Sequence, residues 1–168
     1  MSYYEVKNIL PKDICDFIKV FALKDREYQY KPCNVVYGSH LCFNLPFHTS
    51  ISEYIKPKLE DTLDTKLKYV CGYSRVYGKR DEIHKQEDKF SYDYCTTITI
   101  GFEYEGKDSD YKWPCYINDN NKNKNLTLDI GDGILYRNGD IKYGRDPLLV
   151  GKESFHIQLY MYYTDDSL

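Results

Sequence analysis

In SFHIQLYMYY, residues 154–163, two kinds of side chain alternate strictly. Phe155, Ile157, Leu159 and Met161 fall on one face of a strand, and His156, Gln158, Tyr160 and Tyr162 on the other. The first face suits packing against helices. The second is polar and aromatic, which suits a lined cavity, with a solvated outer face as the alternative.

This strand closes a run of similar segments that begins at residue 68. KYVCGYSRVYG, YDYCTTITIGFEYE, NLTLDIGD and GILYRNG are rich in β-branched and aromatic residues and are bounded by Gly, Asn or Asp. Upstream the period is helical. In LPKDICDFIKVFAL, Ile14, Phe17, Ile18 and Phe21 recur as a stripe, with Pro11 in the first turn. In TSISEYIKPKLEDTLDTKL the stripe is Ile51, Ile55, Leu59 and Leu63, and Ser50 and Glu53 have capping-box spacing. Pro57 lies inside that pattern and is expected to kink or split the helix. NDNNKNKN reads as a polar, solvated hairpin connection. Helices followed by strands predict one α+β domain over residues 1–168. Residues 1–67 would be mainly helical support, and residues 68–166 a rolled β-core with the helices packed on one face.

Composition narrows the function classes. A net charge of −3 on 168 residues, with basic and acidic residues interspersed, leaves no electrostatic footprint for nucleic acid. No apolar run is long enough to cross a membrane, and MSYYEVKNIL lacks a signal-peptide core. A soluble cytoplasmic protein is expected. The six cysteines (15, 33, 42, 71, 95 and 115) form no C-x-x-C pair, which argues against a zinc site and for thiols packed as small apolar groups. Nineteen tyrosines with abundant Lys, Asn and Ile suggest an AT-rich genome such as that of a virus or protist. Host cytoplasm or a virion would then be the location.

GDGILYRNGDIKYGRDPL, residues 131–148, carries more information. It resembles the second metal-ligand region of the prolyl-hydroxylase-like Fe(II)/2-oxoglutarate dioxygenases. That family reads Gly-Asp, a short apolar run, Tyr-Arg-Gly and then a histidine within His-Trp-Arg-x-Pro-Leu. YSRVYGKRDEIHKQEDKFSYDYCTTITI is similar to the family's Tyr–loop–His-x-Asp segment and the strand after it. WPCYI resembles the strand between the ligand regions, and HIQLYMYYTD the final strand. The resemblance spans residues 69 to 165. It implies a double-stranded β-helix (jelly-roll) core, with Fe(II) and 2-oxoglutarate as the family's cofactors.

Only one of the family's three metal ligands carries over, the carboxylate, as Asp88. Its His-x-Asp falls on Gln86 and Asp88, its second histidine on Tyr143, and its basic cosubstrate clamp near His156. Tyr77 keeps the place of an aromatic residue that lines the cosubstrate pocket. A glutamine carbonyl is a weak donor for Fe(II), and tyrosine is a poor ligand unless ionised, with an ordinary pKa of about 10. His156, mostly neutral near pH 7, cannot replace an arginine's bidentate clamp. One rescue places His84 with Asp88 and His156 as a two-histidine, one-carboxylate set. His84 lies about 6.6 Å from Gln86 along a strand but about 13 Å from Asp88, too far to share a metal without distortion. Its other reading is an exposed loop residue.

The resemblance therefore implies a degenerate dioxygenase-like domain, retained as a binding or structural module for an unknown protein or small-molecule ligand. No cofactor is expected. The pocket would be lined by Tyr77, Gln86, Asp88, Tyr143, His156 and Gln158, with Tyr143 neutral and hydrogen-bonded to Asp88 or to water. Two alternatives stand beside it. One is an active Fe(II)/2-oxoglutarate hydroxylase of protein or peptide side chains with unusual ligands. The other is a metal-free enzyme with Asp88 as general base and Tyr143 as acid. Arg137 and Arg145 match arginines in the family pattern and read as salt-bridge partners of Asp132 or Asp140. Trp113 reads as core, and His40 and His48 as loop or packing residues.

Overall fold

Two antiparallel sheets roll against each other, and two helices cover the outer side of the larger one. The computed structural model describes residues 2–31, 39–86, 91–119 and 122–167; the side chains of residues 85, 86 and 119 are outside that description. Among the described residues the order is β1 (Tyr3–Val6), α1 (Lys12–Tyr28), β2 (His40–Phe43), α2 (Pro46–Leu63), β3 (Leu67–Tyr77), β4 (Ile83–Gln86), β5 (Tyr94–Glu103), β6 (Cys115–Asp119), β7 (Lys122–Leu126), β8 (Gly133–Arg137), β9 (Ile141–Arg145) and β10 (Phe155–Asp165). The larger sheet runs β1-β8-β5-β10-β3-β2 and the smaller β4-β9-β6-β7. This is the expected α+β jelly roll.

The alternation in β10 organises both cores. Ile157, Leu159 and Met161 pack under the helices with Val76, Ile98 and Ile100, against Ile18, Ala22, Ile55 and Leu59. On the other side Tyr160 and Tyr162 join Tyr77, Trp113, Ile117, Ile134 and Tyr143 in a second core between the sheets. His156 and Gln158 lie on this side too and are buried. Neither face of β10 is a solvated outer surface.

Several helical expectations need correction. In α1 the buried residues are Cys15, Ile18 and Ala22, while Phe17 is 66% exposed. The helix is rotated so that small residues meet the sheet closely. Pro11 precedes the first turn as the N-cap. The second helix starts at Pro46, four residues before the expected capping box, and Ser50 Oγ donates back to the Pro46 carbonyl at 3.3 Å. It runs through Pro57 without splitting. A mid-helix proline costs about 3 kcal/mol. Burial of Ile55 and Leu59 on either side contributes about 1.5–3 kcal/mol each, enough to hold the helix together.

Strands β1 and β2 were not anticipated, because four residues at a sheet edge carry little periodicity. Strands β6 and β7 also extend into NDNNKNKN, with Asn118 Nδ2 donating to Asn123 Oδ1 at 2.8 Å. An exposed hairpin at the end of a sheet needs no apolar alternation. Gly131 makes a sharper demand. Its φ is +90°, and a Cβ there would sit 2.4 Å from the Leu10 carbonyl oxygen. Its own carbonyl accepts from Ile9 at 2.8 Å and its amide donates to Thr99 at 2.8 Å, so it splices the N-terminal segment to the sheet. None of the five described cysteines is in a disulfide. Among the described residues no helix is long and apolar enough to cross a membrane.

The start of α2 contains a pH-sensitive group. His48 is fully buried, and its Nδ1 accepts the Leu45 amide at 2.9 Å. Burial pushes its pKa down to about 4. The unfolded chain protonates near its ordinary value of about 6.5, so this contribution to stability is complete above that pH. It is lost as pH falls from about 6.5 toward 4, where the unfolded state binds a proton that the fold refuses. Denaturant melts are expected to lose about 1–3 kcal/mol from this group between pH 7 and about 4.5. His48→Asn, which keeps an acceptor for the Leu45 amide, should lose measurably less. Equal losses in both proteins would show that His48 is not the group responsible.

Candidate functional site

Inward-facing residues of four strands meet between the sheets. Strand β3 supplies Tyr73, Arg75 and Tyr77, β5 supplies Thr97 and Thr99, β9 supplies Tyr143 and Arg145, and β10 supplies the polar face of its alternation. The fully buried Gln158 is the hub. Its Nε2 donates to Thr97 Oγ1 at 2.7 Å. Its Oε1 accepts from His156 Nε2 at 2.9 Å, from Thr99 Oγ1 at 3.3 Å and from Arg145 Nη2 at 3.3 Å.

That arrangement assigns the histidine tautomer. Because Gln158 Oε1 can only accept, His156 carries its proton on Nε2, and Nδ1 accepts from the Tyr104 hydroxyl at 2.7 Å. Burial, reinforced by the Arg145 charge, drives the His156 pKa well below its ordinary value. The ring is neutral, and both nitrogens are engaged.

Arg145 is the least expected member. It is 1% exposed, yet no carboxylate among the described residues pairs with it. Its Nε donates to Tyr143 Oη at 2.9 Å, and its Nη1 donates to the Trp113 carbonyl. The guanidinium carbon lies 4.9 Å from the Trp113 ring centroid. Burial raises the Tyr143 phenol far above its ordinary pKa, so the hydroxyl is neutral and accepts from the guanidinium. The described partner of Tyr143 is thus Arg145, while Asp88, the partner expected from the sequence, lies outside the described residues. The anticipated salt bridges are also absent for Arg145. Asp132 is instead held by Lys7 Nζ at 2.7 Å and the Asn8 amide at 2.9 Å, and Arg137 is exposed.

A row of phenols fills the rest. Tyr77 and Tyr160 share a hydrogen bond of 2.7 Å, and Tyr73 and Tyr162 one of 3.0 Å. Among the described residues a cavity of about 30 Å³ lies between Tyr73, Arg75, Ile83, Tyr136, Tyr143, Tyr160 and Tyr162. It admits a water or two.

Tyr77, Tyr143, His156 and Gln158 therefore gather in one interior. Only Tyr143 borders the cavity, and the other three are packed beside it rather than lining it. The Gln86 backbone lies opposite Tyr143 in the β4–β9 pair, while its side chain and all of Asp88 lie outside the described residues. His84 points to solvent, with its side chain 77% exposed and Nε2 3.3 Å from Glu82. Arg75, Tyr104, Thr97 and Thr99 were missed, and Arg145 was assigned to the wrong surroundings. Strand parity could have placed two of them, since Arg145 is two residues from Tyr143 and Arg75 two from Tyr77.

No protein-family model matches this sequence, and no curated protein matches it. Solved structures do match. The Pseudomonas putida prolyl 4-hydroxylase superposes with a TM-score of 0.73 at 9% identity, over 97% of this chain and 92% of that one. The viral collagen prolyl hydroxylase of Paramecium bursaria Chlorella virus-1 gives 0.68 at 11% identity, over 97% and 95%. A 2-oxoglutarate–Fe(II) oxygenase family protein of Burkholderia pseudomallei gives 0.71 at 11%, over 97% and 84%. The fold of this chain is that of the prolyl 4-hydroxylases and other 2-oxoglutarate–Fe(II) oxygenases.

Proposed function

We propose that this chain is a binding or structural module that keeps the dioxygenase jelly roll without its iron chemistry. The contact between Arg145 and Tyr143 carries the reading. Tyr143 stands where the resemblance puts the second iron-binding histidine, and its oxygen accepts from a guanidinium 2.9 Å away. An arginine two residues on belongs to the family pattern, so the change that counts is from an imidazole to a phenol whose oxygen is already engaged. The donor set fits Fe(II) poorly for further reasons. Tyr143 is held as the neutral phenol, and both nitrogens of His156 are occupied. Nor does the barrel suit the cosubstrate. A cavity of about 30 Å³ is an order of magnitude below the roughly 300 Å³ at which ligand pockets begin.

The metal-free enzyme finds little support. A phenol whose pKa burial raises so far is a weak proton donor near neutral pH.

The test is calorimetric titration of the metal-stripped protein with 2-oxoglutarate, with and without Fe(II) under anaerobic conditions, followed by an assay for 2-oxoglutarate decarboxylation. No saturable 2-oxoglutarate binding and no turnover are expected. Fe(II)-dependent 2-oxoglutarate binding that Tyr143→Phe leaves intact would instead establish an active oxygenase with unusual ligands.

A further inference from the structure

On the opposite face of the larger sheet, under the C-terminal half of α1, three metal-type donors converge. Asp25 Oδ2 lies 2.7 Å from His40 Nε2 and 3.0 Å from Cys42 Sγ, and the latter two atoms are 3.4 Å apart. His40 and Cys42 are buried on the edge strand β2, and the Asp25 side chain is 14% exposed. The register of β2 against β3 puts Ser74 directly across from Cys42. The Ser74 hydroxyl is fully buried beside the thiol, close enough to interact with it.

We infer that Asp25, His40 and Cys42 form a binding site for a borderline-soft divalent cation of the zinc type. The three residues supply carboxylate oxygen, imidazole nitrogen and thiolate sulfur, the donors such ions take, and Ser74 or a water is placed for a fourth position. Ordinary zinc–ligand lengths put tetrahedral donors about 3.3–3.6 Å apart. Relative to the hydrogen-bonded cluster, the Asp25 oxygen has to withdraw by about half an ångström. Asp25 is the partly exposed member, so the cation enters from its side.

The protons balance. Without metal, Cys42 S–H and His40 Nε2–H both donate to the Asp25 carboxylate, and His40 Nδ1 accepts the Lys31 amide at 3.0 Å. Binding releases the Cys42 proton to solvent, and the imidazole proton moves from Nε2 to Nδ1. The Lys31 amide then has to turn away, which is the one rearrangement required. The cluster goes from a net charge of −1 to neutral. Sequence spacing argued against zinc for lack of a C-x-x-C pair. Here the ligands come from a helix and an edge strand, which the metal would tie together. The site lies outside the barrel and stands whether or not the barrel binds iron.

The test is a Co²⁺ titration of the metal-stripped full chain. Expected are a sulfur-to-cobalt charge-transfer band in the near ultraviolet that saturates at a single equivalent, and its loss on adding Zn²⁺. Zn²⁺ at a hundredfold excess over its Kd should raise the melting temperature by about 5–10 °C. Cys42→Ser should abolish the band, and Asp25→Asn, which keeps the shape of the carboxylate, should weaken Co²⁺ binding more than about tenfold. The absence of a band at millimolar Co²⁺, or a band unchanged in Cys42→Ser, overturns the proposal and leaves the cluster a hydrogen-bonded brace.

Discussion

A double variant, Gln86→His with Tyr143→His, is expected to bind Fe(II) at least about a hundredfold more tightly than the natural protein. Imidazole at 86 and 143 restores the donors that the sequence resemblance calls for, and the two backbones already face each other across β4 and β9. Arg145 is kept, because the family pattern itself carries an arginine at that place. A hundredfold represents about 2.8 kcal/mol, a modest demand on two neutral nitrogen donors that replace an amide and a phenol. Anaerobic titration in a Cys42→Ser background keeps the cluster on the other face of the sheet out of the reading. If the double variant binds Fe(II) no more tightly than the natural protein, the lost imidazoles are not what excludes the metal, and the proposed function loses its main support.

Replacing Arg145 alone is expected to separate packing from charge. Arg145→Ala removes a large, fully buried side chain and takes away donors from Tyr143 Oη, the Trp113 carbonyl and Gln158 Oε1. The cavity and the unmet acceptors should together cost about 2–4 kcal/mol. Arg145→Met fills most of that volume. It forfeits the same hydrogen bonds but relieves the desolvation of a cation that no described carboxylate neutralises, which is itself worth several kcal/mol. The two effects are of similar size, so Met should fall within about 1 kcal/mol of the natural protein. Urea melts measure both variants. A loss above about 4 kcal/mol in the Met variant would show that the guanidinium is an indispensable structural anchor, which its neutral partners do not suggest.

Local pattern reaches a definite point in this chain. The two-residue period of SFHIQLYMYY placed both faces of β10 correctly, because a pleated strand leaves its side chains no other choice. The change from helical stripes to short strands near residue 68, with the resemblance, was enough for an α+β jelly roll. Short edge strands were illegible. Four residues such as HLCF hold their shape through hydrogen bonds to β3, made with backbone groups that every sequence shares. The face of α1 was misjudged for a related reason. Hydrophobicity ranks Phe17 above Cys15 and Ala22, but the close approach of helix to sheet selects the smaller residues.

By itself the sequence determined which residue types stand at the places the resemblance marks: Gln86 and Tyr143 fall where the family pattern has imidazoles, and a side chain's identity limits what it can donate to a metal. What surrounds Tyr143 was decided only by tertiary structure. Tyr143 Oη and Arg145 Nε come from one strand, but Gln158, Trp113 and Tyr104, which complete the network, come from three other segments of the chain. The cluster of Asp25, His40 and Cys42 likewise exists only because α1 crosses the edge strand β2. Side chains distant along the chain meet where backbone pairing and helix packing put them. No local period records those meetings, because the energy that fixes them is shared by the whole fold.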